Sequence, residues 1–256
     1  MITVHVLLTV LITTHLPKFT DSKIGLRVYQ GLDDITSKYP YVVSIQPLRS
    51  CTGSLLTANW VLTAAHCCIE TAKLIQYGNM STPLSLSDST SKVLKRIRHP
   101  RYISGKFAPL DIGLMFVSPV AMNKYASISA VDYLTLTGVP VEYAGYGLTF
   151  LPKKKTKHVV QKILNSLRSP LQIGEVVISP CTCWFKGFIC ASPKCSITQL
   201  TTPGDSGGPL FMEHKIVGLV TGALDDNFEC TDRFFTPIST HLSWINSVIN
   251  YSRSEK

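Results

Sequence analysis

The apolar residues of this chain occur in short runs separated by turn residues, and this pattern limits the fold more than any other feature. Three examples are "YPYVVSIQ" (39–46), "WVLTAAHCC" (60–68) and "PLDIGLMFV" (109–117). Short runs of this kind, broken by Gly, Pro, Ser and Asn, are typical of β-strands, and long helical periodicity is hard to find. The 256 residues are 45% hydrophobic and only 16% charged, which excludes a disordered chain and allows one large domain or two small ones. The sequence therefore predicts mostly β-structure around a sizeable core.

The chain begins with "MITVHVLLTVLITTH", which is apolar from Ile2 to Thr14 apart from His5. This segment is too short to span a bilayer comfortably and long enough for the hydrophobic region of a signal peptide. We therefore expect a signal peptide over residues 1–20, with a cleavage site that the sequence does not fix. A secreted, extracellular protein without a membrane partner follows from this interpretation. The alternative is a short amphipathic or buried segment.

The cysteines form an even set of eight, which in an exported protein indicates a disulfide framework. Zinc is the alternative for the closely spaced later cysteines, but no histidine lies among them, so we expect no metal and no cofactor. Two N-glycosylation sequons begin at Asn79 and Asn250, and the sequence does not decide whether either carries a glycan. The eight positions are Cys51, Cys67, Cys68, Cys181, Cys183, Cys190, Cys195 and Cys230.

The formal net charge is +9, and removing residues 1–27, which carry +2, leaves +7. The densest basic cluster is "KKKTKH" (153–158), which follows glycines and Pro152 and is predicted to be an exposed loop. It is either a solvated loop or a contact for a polyanion or a protein partner. Nucleic acid is the weaker interpretation, because no aromatic residues are interleaved with the basic run.

The segment "LTTPGDSGGPL" (200–210) places Ser206 among three glycines. Glycine is used where the backbone needs a conformation that a Cβ forbids, or where something must approach closely. A serine nucleophile also needs a base and a group that orients the base. His66, at the end of an apolar run, is the candidate base, and Asp111, at the start of another, is the candidate orienting acid. Taken singly, His66 is equally an ordinary surface or core histidine and Asp111 a strand-capping aspartate.

Together these segments resemble the chymotrypsin-like (trypsin-fold) serine peptidases. The motifs "TAAHC", "DIGL" and "GDSGGP" occur in that family's order, and "HPRY", "GYGLT" and "PISTHLSWINSVI" also fit, so the resemblance covers about residues 28–250. The resemblance implies an all-β fold of two six-stranded antiparallel β-barrels with a C-terminal helix. The predicted domains are residues 28–137 and 138–256, with the active site in the cleft between them.

The resemblance also assigns roles to residues. It implies that Ser206 attacks a peptide carbonyl, that His66 acts as general base and then acid, and that Asp111 orients the imidazole. The backbone N–H groups of Gly204 and Ser206 would form the oxyanion hole, for which Gly204 avoids a Cβ clash.

The resemblance further implies a zymogen with a short propeptide over residues 21–27. Cleavage between Arg27 and Val28 by a trypsin-like protease would free the Val28 amine to pair with Asp205. Because the primary pocket lacks a charge for arginine, the protein should not activate itself at this bond.

The primary specificity pocket departs from the trypsin-like pattern. Leu200 occupies the position of the aspartate on its floor, and the wall segment aligns with Thr221, Gly222 and Ala223. Arg233 aligns with a pocket-lining glycine. If its side chain points inward, the pocket favours acidic residues, and if it points outward, the pocket favours medium apolar residues.

The resemblance implies one disulfide, Cys51–Cys67, which closes the histidine loop. Cys190 is expected to pair with Cys181 or Cys183, a Cys195–Cys230 bridge is our expectation for a shifted pocket brace, and Cys68 is extra. Thr202 stands where the family usually has a further cysteine.

Two functional hypotheses follow. The first is a secreted serine endopeptidase of non-tryptic specificity that acts on protein or peptide substrates. The second is a catalytically weak or inactive binding or regulatory protein on a peptidase fold, in which the altered pocket is closed.

Overall fold

The computed structural model of this chain describes residues 31–46, 51–78, 80, 87, 89–105, 109–148, 170–181, 186–194, 199–223 and 233–254. The predictions that lie outside the described residues concern the signal peptide 1–20, the propeptide 21–27, Arg27, Val28, Asn79, the basic loop 153–158, Cys183, Cys195 and Cys230.

The described residues form fourteen β-strands and one α-helix. The strands are β1 Leu32–Asp33, β2 Val42–Gln46, β3 Cys51–Leu55, β4 Trp60–Thr63, β5 Leu74–Gln76, β6 Thr90–Arg98, β7 Gly113–Val117, β8 Ser127–Ile128, β9 Pro140–Gly145, β10 Gln172–Ser179, β11 Ile189–Pro193, β12 Pro209–Met212, β13 Lys215–Ala223 and β14 Arg233–Pro237, and the helix is α1 Leu242–Ser254.

The strands form two barrels. The first barrel closes in the order β2-β3-β4-β7-β6-β5, and the second runs β10-β11-β14-β13-β12-β9 and closes through pairing of β9 with β10. Every pairing around both barrels is antiparallel. The predicted pair of six-stranded antiparallel barrels with a C-terminal helix is therefore confirmed.

The N-terminal half of the chain also contributes to the second sheet. The short strand β1 pairs with β10, and β8 pairs in parallel with β13. The domain limits 28–137 and 138–256 stay a prediction. These pairings show that two strands from before residue 137 belong to the sheet of the second barrel.

Aromatic side chains pack the two barrels against each other. Tyr39, just before β2, stacks on Phe211 of β12 with ring centroids 3.9 Å apart and planes at 8°. Tyr41 meets the same ring nearly edge-on at 6.1 Å. All three side chains are buried, and large aromatic rings of this kind supply much of the apolar contact in an interface. These ring contacts therefore join the first barrel to the second.

The helix α1 returns the chain to the first barrel. Ile245 is fully buried in the core cluster that contains the first barrel, and Trp244 packs against His99, with ring centroids 5.2 Å apart. No described helix has the length and apolar character needed to cross a membrane.

The interior of the second barrel holds a large aromatic side chain that only a glycine neighbour permits. Tyr143 of β9 is opposite Gly174 of β10 in the antiparallel register. A Cβ on Gly174 would lie 2.5 Å from Cε1 of Tyr143 and 2.7 Å from its hydroxyl oxygen. The tyrosine ring therefore lies across the backbone of Gly174.

Replacing Gly174 with alanine should destabilise the protein, because the added methyl group overlaps a fully buried ring. The expected loss in the free energy of unfolding is about 1–3 kcal/mol, the usual cost of overpacking. Urea unfolding followed by fluorescence measures it. Gly222→Ala is the matched control, since a Cβ there meets no described atom within 4 Å. Equal stability of the two variants would contradict the placement of Tyr143.

Candidate active site

Two neighbouring strands of the first barrel bring His66 and Asp111 together. His66 lies in a single 3₁₀ turn, Ala65–Cys67, that follows β4, and Asp111 precedes β7. The strands β4 and β7 are antiparallel, with Thr63 opposite Gly113. The residues just beyond the end of β4 therefore meet the residues just before the start of β7.

The carboxylate of Asp111 contacts His66 at two points. Oδ1 accepts a hydrogen bond from the His66 backbone N–H at 2.9 Å, and Oδ2 lies 2.6 Å from Nδ1 of the imidazole. Asp111 is only 5% exposed, and a buried carboxylate is costly unless hydrogen bonds compensate it. With Nδ1–H donating to Oδ2, Nε2 is left as a proton acceptor on a ring that remains partly exposed.

The loop that carries Ser206 packs against the end of β4. The Ser206 carbonyl accepts the backbone N–H of Thr52 at 2.8 Å and lies 3.6 Å from Sγ of Cys67, the residue after His66. Gly207 has φ of +77°, and a Cβ there would lie 2.7 Å from the backbone nitrogen of Ala64. Only glycine fits this contact without strain. Ser206 is thereby held beside the histidine turn, although no hydrogen bond joins its hydroxyl to the His66 ring among the described residues.

The backbone before the serine is also held in a conformation that favours glycine. Gly204 has φ of +106°, and its carbonyl accepts the Thr52 hydroxyl at 2.8 Å. The same hydroxyl accepts the backbone N–H of Tyr146 at 3.0 Å. Within the described part of the chain, the N–H groups of Gly204 and Ser206 have no hydrogen-bond acceptor. Such a pair of donors suits an anionic oxygen supplied by a substrate.

Thr52 does not stand out in the sequence, since it belongs to none of the motifs that carry the resemblance. The only feature of the sequence that could have drawn attention to Thr52 is its position directly after Cys51. The structure makes it the residue of the first barrel that fixes both Gly204 and Ser206.

The carboxylate of Asp205 is fully buried next to the serine. Oδ1 accepts the Gly147 backbone N–H at 2.8 Å, and Oδ2 accepts the Thr202 backbone N–H at 2.7 Å and lies 3.1 Å from the Thr202 hydroxyl. A Cβ on Gly145 would lie 2.8 Å from Cγ of the carboxylate. Thr202, which the sequence marks only as a missing cysteine, therefore helps to hold Asp205. Val28, its predicted partner, lies outside the described residues.

The segment with Leu200 is held at both ends. The side-chain oxygen of Gln199 accepts the Glu175 backbone N–H from β10, and Thr202 is bound to Asp205. Leu200 itself is partly buried between these anchors. The resemblance places the pocket floor at this residue, and leucine is apolar, whereas trypsin-like members have an aspartate there.

The predicted pocket wall and Arg233 are neighbours in the sheet. The register of β13 and β14 places Gly222 opposite Phe234 and Ala223 opposite Arg233. The Thr221 hydroxyl lies 2.6 Å from that of Thr236 on β14. The strand pairing thus brings the wall segment and Arg233 together.

Strand alternation shows which face of β14 carries the Arg233 side chain. Phe235, two residues later, is fully buried in the core of the second barrel, and residues two apart in a strand share a face. Arg233 is opposite Ala191, another fully buried member of that core, and its Nε atom is excluded from solvent. Arg233 therefore lies on the face of β14 that also carries Phe235, and the sequence alternatives for the pocket stay open.

Two disulfides are present among the described residues. The predicted Cys51–Cys67 bond closes the histidine loop, and Cys190 pairs with Cys181, one of its two expected partners. Cys68 is a free, buried thiol, and burial raises its pKa to about 12, so it stays protonated at neutral pH.

The sulfur atoms of Cys51 and Cys67 lie close to a ring nitrogen of His66, a grouping that in other proteins holds a metal ion. Metal ions bind cysteine as the thiolate. Both sulfurs are engaged in the Cys51–Cys67 disulfide, so the group does not have the chemistry of a metal site.

Comparison with known proteins gives a consistent assignment. The family model named Trypsin matches residues 29–245. Chymotrypsin-like elastase family member 1 of Canis lupus familiaris is 28% identical over 248 residues, which cover 87% of this chain and 92% of the relative. Serine protease SSP1 of Scolopendra subspinipes is 28% identical over 243 residues, with 86% and 82% covered. Granzyme M of Homo sapiens is 26% identical over 246 residues, with 90% and 92% covered.

Solved structures agree on the fold. The structure of neuropsin, a serine protease expressed in the limbic system of mouse brain, matches with a TM-score of 0.69 at 22% identity, over 86% of this chain and 99% of that chain. At this identity the likeness shows the fold alone. The family model spans most of the chain, including both barrels and the loops that carry His66, Asp111 and Ser206. The chain belongs to the trypsin family of chymotrypsin-like serine peptidases.

Proposed function

We propose that this protein is a secreted serine endopeptidase of non-tryptic specificity that hydrolyses peptide bonds through Ser206, His66 and Asp111. The observation that carries the proposal is the two-point contact between Asp111 and His66 beside the loop that holds Ser206. Membership of the trypsin family supports protein or peptide substrates. The two disulfides support an oxidising, extracellular location.

In the proposed mechanism, Oγ of Ser206 attacks the scissile carbonyl carbon while Nε2 of His66 takes the hydroxyl proton. The carbonyl oxygen becomes an oxyanion and accepts hydrogen bonds from the N–H groups of Gly204 and Ser206. His66 then gives its proton to the departing amine, which leaves an acyl group on Ser206. Water, activated by the same nitrogen, hydrolyses this ester and restores the serine hydroxyl. Asp111 stabilises the imidazolium that forms in each half of the reaction.

The non-tryptic part of the proposal rests on Leu200. A lysine or arginine side chain that entered the pocket would lose water and find no carboxylate at this position, and an unpaired buried charge is strongly unfavourable. Leu200 instead offers apolar contact. Cleavage after Arg or Lys should therefore be poor.

The second candidate is a binding or regulatory protein with little catalytic activity. Two observations favour it. The His66 ring and the Ser206 hydroxyl are not hydrogen-bonded within the described residues, and Leu200 replaces the residue that would bind a basic side chain. The first observation weighs less, because catalytic hydrogen bonds are often long before substrate binds.

A fluorophosphonate probe separates the two candidates, because it reacts with a serine only where a base activates the hydroxyl. We expect labelling of the wild-type protein that begins at Val28. Ser206→Ala should abolish labelling and lower peptide turnover by several orders of magnitude, as triad knockouts do, without loss of stability. Ser247→Ala, a remote serine on α1, is the control and should be labelled normally. Unchanged turnover in Ser206→Ala would refute the mechanism.

The second functional prediction concerns activation. The Asp205 carboxylate is buried, and the donors that Gly147 and Thr202 supply are neutral, so a cationic amine would stabilise it. We expect cleavage after Arg27 by a trypsin-like protease to supply that amine at Val28. A protein with one extra residue before Val28 should lose about a hundredfold or more in kcat/KM, the effect of one lost oxyanion donor. Peptide hydrolysis by the two forms measures this, and equal activity would rule out the switch.

A further inference from the structure

The hydroxyl group of Thr52 is buried where the first barrel meets the loop that carries Ser206. Thr52 is the second residue of β3, and its side chain is fully buried. The hydroxyl donates to the Gly204 carbonyl at 2.8 Å and accepts the Tyr146 backbone N–H at 3.0 Å. A threonine hydroxyl has a single proton, which is used in the bond to Gly204. The two contacts therefore hold the hydroxyl in one orientation.

The backbone of Thr52 is held by its own barrel. Thr52 is opposite Ser44 on β2, and its carbonyl accepts the hydroxyl of Thr63 on β4 at 2.8 Å. Ser44 and Thr63 are also fully buried. Close-packed interiors resist small displacements, so these neighbours fix the position from which Thr52 presents its hydroxyl to the serine loop.

This hydroxyl restrains one peptide unit of the serine loop. The Gly204 carbonyl and the Asp205 N–H belong to the same planar unit and point in opposite directions. Thr52 of the first barrel binds the carbonyl, and the Asp205 N–H donates to the Thr202 carbonyl at 3.0 Å. Two opposed hydrogen bonds, one from each barrel, therefore fix the rotation of the Gly204–Asp205 peptide unit.

Gly204 depends on this restraint because its backbone is intrinsically free to rotate. It has φ of +106° and lacks a Cβ, so other conformations are accessible to it. Without the Thr52 hydroxyl, the buried Gly204 carbonyl would lose that donor, and an unpaired buried carbonyl is costly. Rotation of the peptide unit would relieve this cost. It would also displace the N–H groups of Gly204 and Ser206, which belong to the peptide units on either side.

We propose that Thr52 is a positioning residue for the oxyanion hole. Its hydroxyl holds the Gly204–Asp205 peptide unit so that the flanking N–H groups of Gly204 and Ser206 converge on an anionic substrate oxygen. Thr52 does not touch the substrate in this role and acts only through the backbone of the serine loop. The inference rests on the proposed peptidase function, because it assigns a further residue to the same site.

The first test replaces Thr52 with valine, which has the same shape and lacks the hydroxyl. Wild type and variant, both beginning at Val28, hydrolyse the best-cleaved of three peptides that carry Leu, Met or Glu before the scissile bond. We expect kcat to fall by about tenfold to a hundredfold, up to the effect of one lost oxyanion donor. KM should change by less than about twofold, because the restraint acts on the transition state. Thr52→Ser keeps the hydroxyl and should restore most of the wild-type kcat.

Ser91→Ala is the matched control for the loss of a buried hydrogen bond. The Ser91 hydroxyl on β6 donates to the Ser118 carbonyl at 2.6 Å, at the opposite end of β7 from Asp111. This variant should unfold more easily in urea and keep the wild-type kcat. If Thr52→Val is destabilised in the same way but keeps the wild-type kcat, or if it raises KM alone, the inference is wrong.

A second pair of variants covers the case in which Thr52→Val does not fold. Thr52→Ser and Thr52→Ala differ from each other only by the hydroxyl group. The serine variant should therefore exceed the alanine variant in kcat by about tenfold or more, within the range of an oxyanion-donor effect. Equal kcat values for these two variants would contradict the inference.

Binding separates this inference from the proposed function. Two peptides of the same sequence, one with a terminal carboxylate and one with a terminal carboxamide, are titrated into the Ser206→Ala protein, which keeps both backbone N–H groups. A carboxylate oxygen is an anionic acceptor for such a donor pair. We expect the acid to bind more tightly than the amide, and the added Thr52→Val change to remove most of this difference.

The two measurements give distinguishable outcomes. If the fluorophosphonate does not label Ser206 but the preference for the acid is present and is lost in Thr52→Val, the positioning role stands and the peptidase function falls. If labelling succeeds but neither kcat nor the preference for the acid depends on the Thr52 hydroxyl, the function stands and the inference falls.

Discussion

Thr52 links the two barrels at the point where the chemistry is expected. Its N–H and hydroxyl bind the carbonyls of Ser206 and Gly204, its hydroxyl receives the N–H of Tyr146, and its own carbonyl accepts the Thr63 hydroxyl at 2.8 Å. His66 and Asp111, the proposed base and its orienting acid, belong to the first barrel, whereas Ser206 belongs to the second. The apolar packing between the two halves has no fixed direction by itself. Thr52 adds directional contacts to it at the point where the serine loop meets the first barrel.

The sequence predicts the parts of this site that depend on short motifs. The approach of His66 to Asp111 follows from the register of two adjacent strands, and each motif contains the end of its own strand. The positive φ angles of Gly204 and Gly207 are likewise expected from a run in which only glycine fits. The prediction of two barrels depended on the resemblance. Periodicity alone predicts individual strands, and it does not show how those strands pair to close a barrel.

The remaining features depend on contacts between distant segments, which no local pattern encodes. The face of β14 that carries Arg233 follows from the register of β14 with β11 and β13, and that register is set by the whole barrel. Tyr143 is one of several aromatic residues in the sequence, and its packing against Gly174 is visible only in the folded interior. The sequence does not decide whether Cys190 pairs with Cys181 or Cys183, because both spacings allow a disulfide bond.

The pairing of β1 with β10 and of β8 with β13 means that the sheet of the second barrel includes strands from the N-terminal half of the chain, on either side of the first barrel. During synthesis the residues of the first barrel emerge first, but the two short strands that flank it have no partners until much later segments arrive. The sheet of the second barrel is complete only when β1 and β8, which flank the first barrel in the sequence, have paired with β10 and β13. Contacts between such distant residues close long loops, which slows folding. The two halves are therefore expected to fold as one cooperative unit. Cutting the chain at residue 137 would leave β1 and β8 on the N-terminal fragment, although their partner strands lie on the C-terminal one.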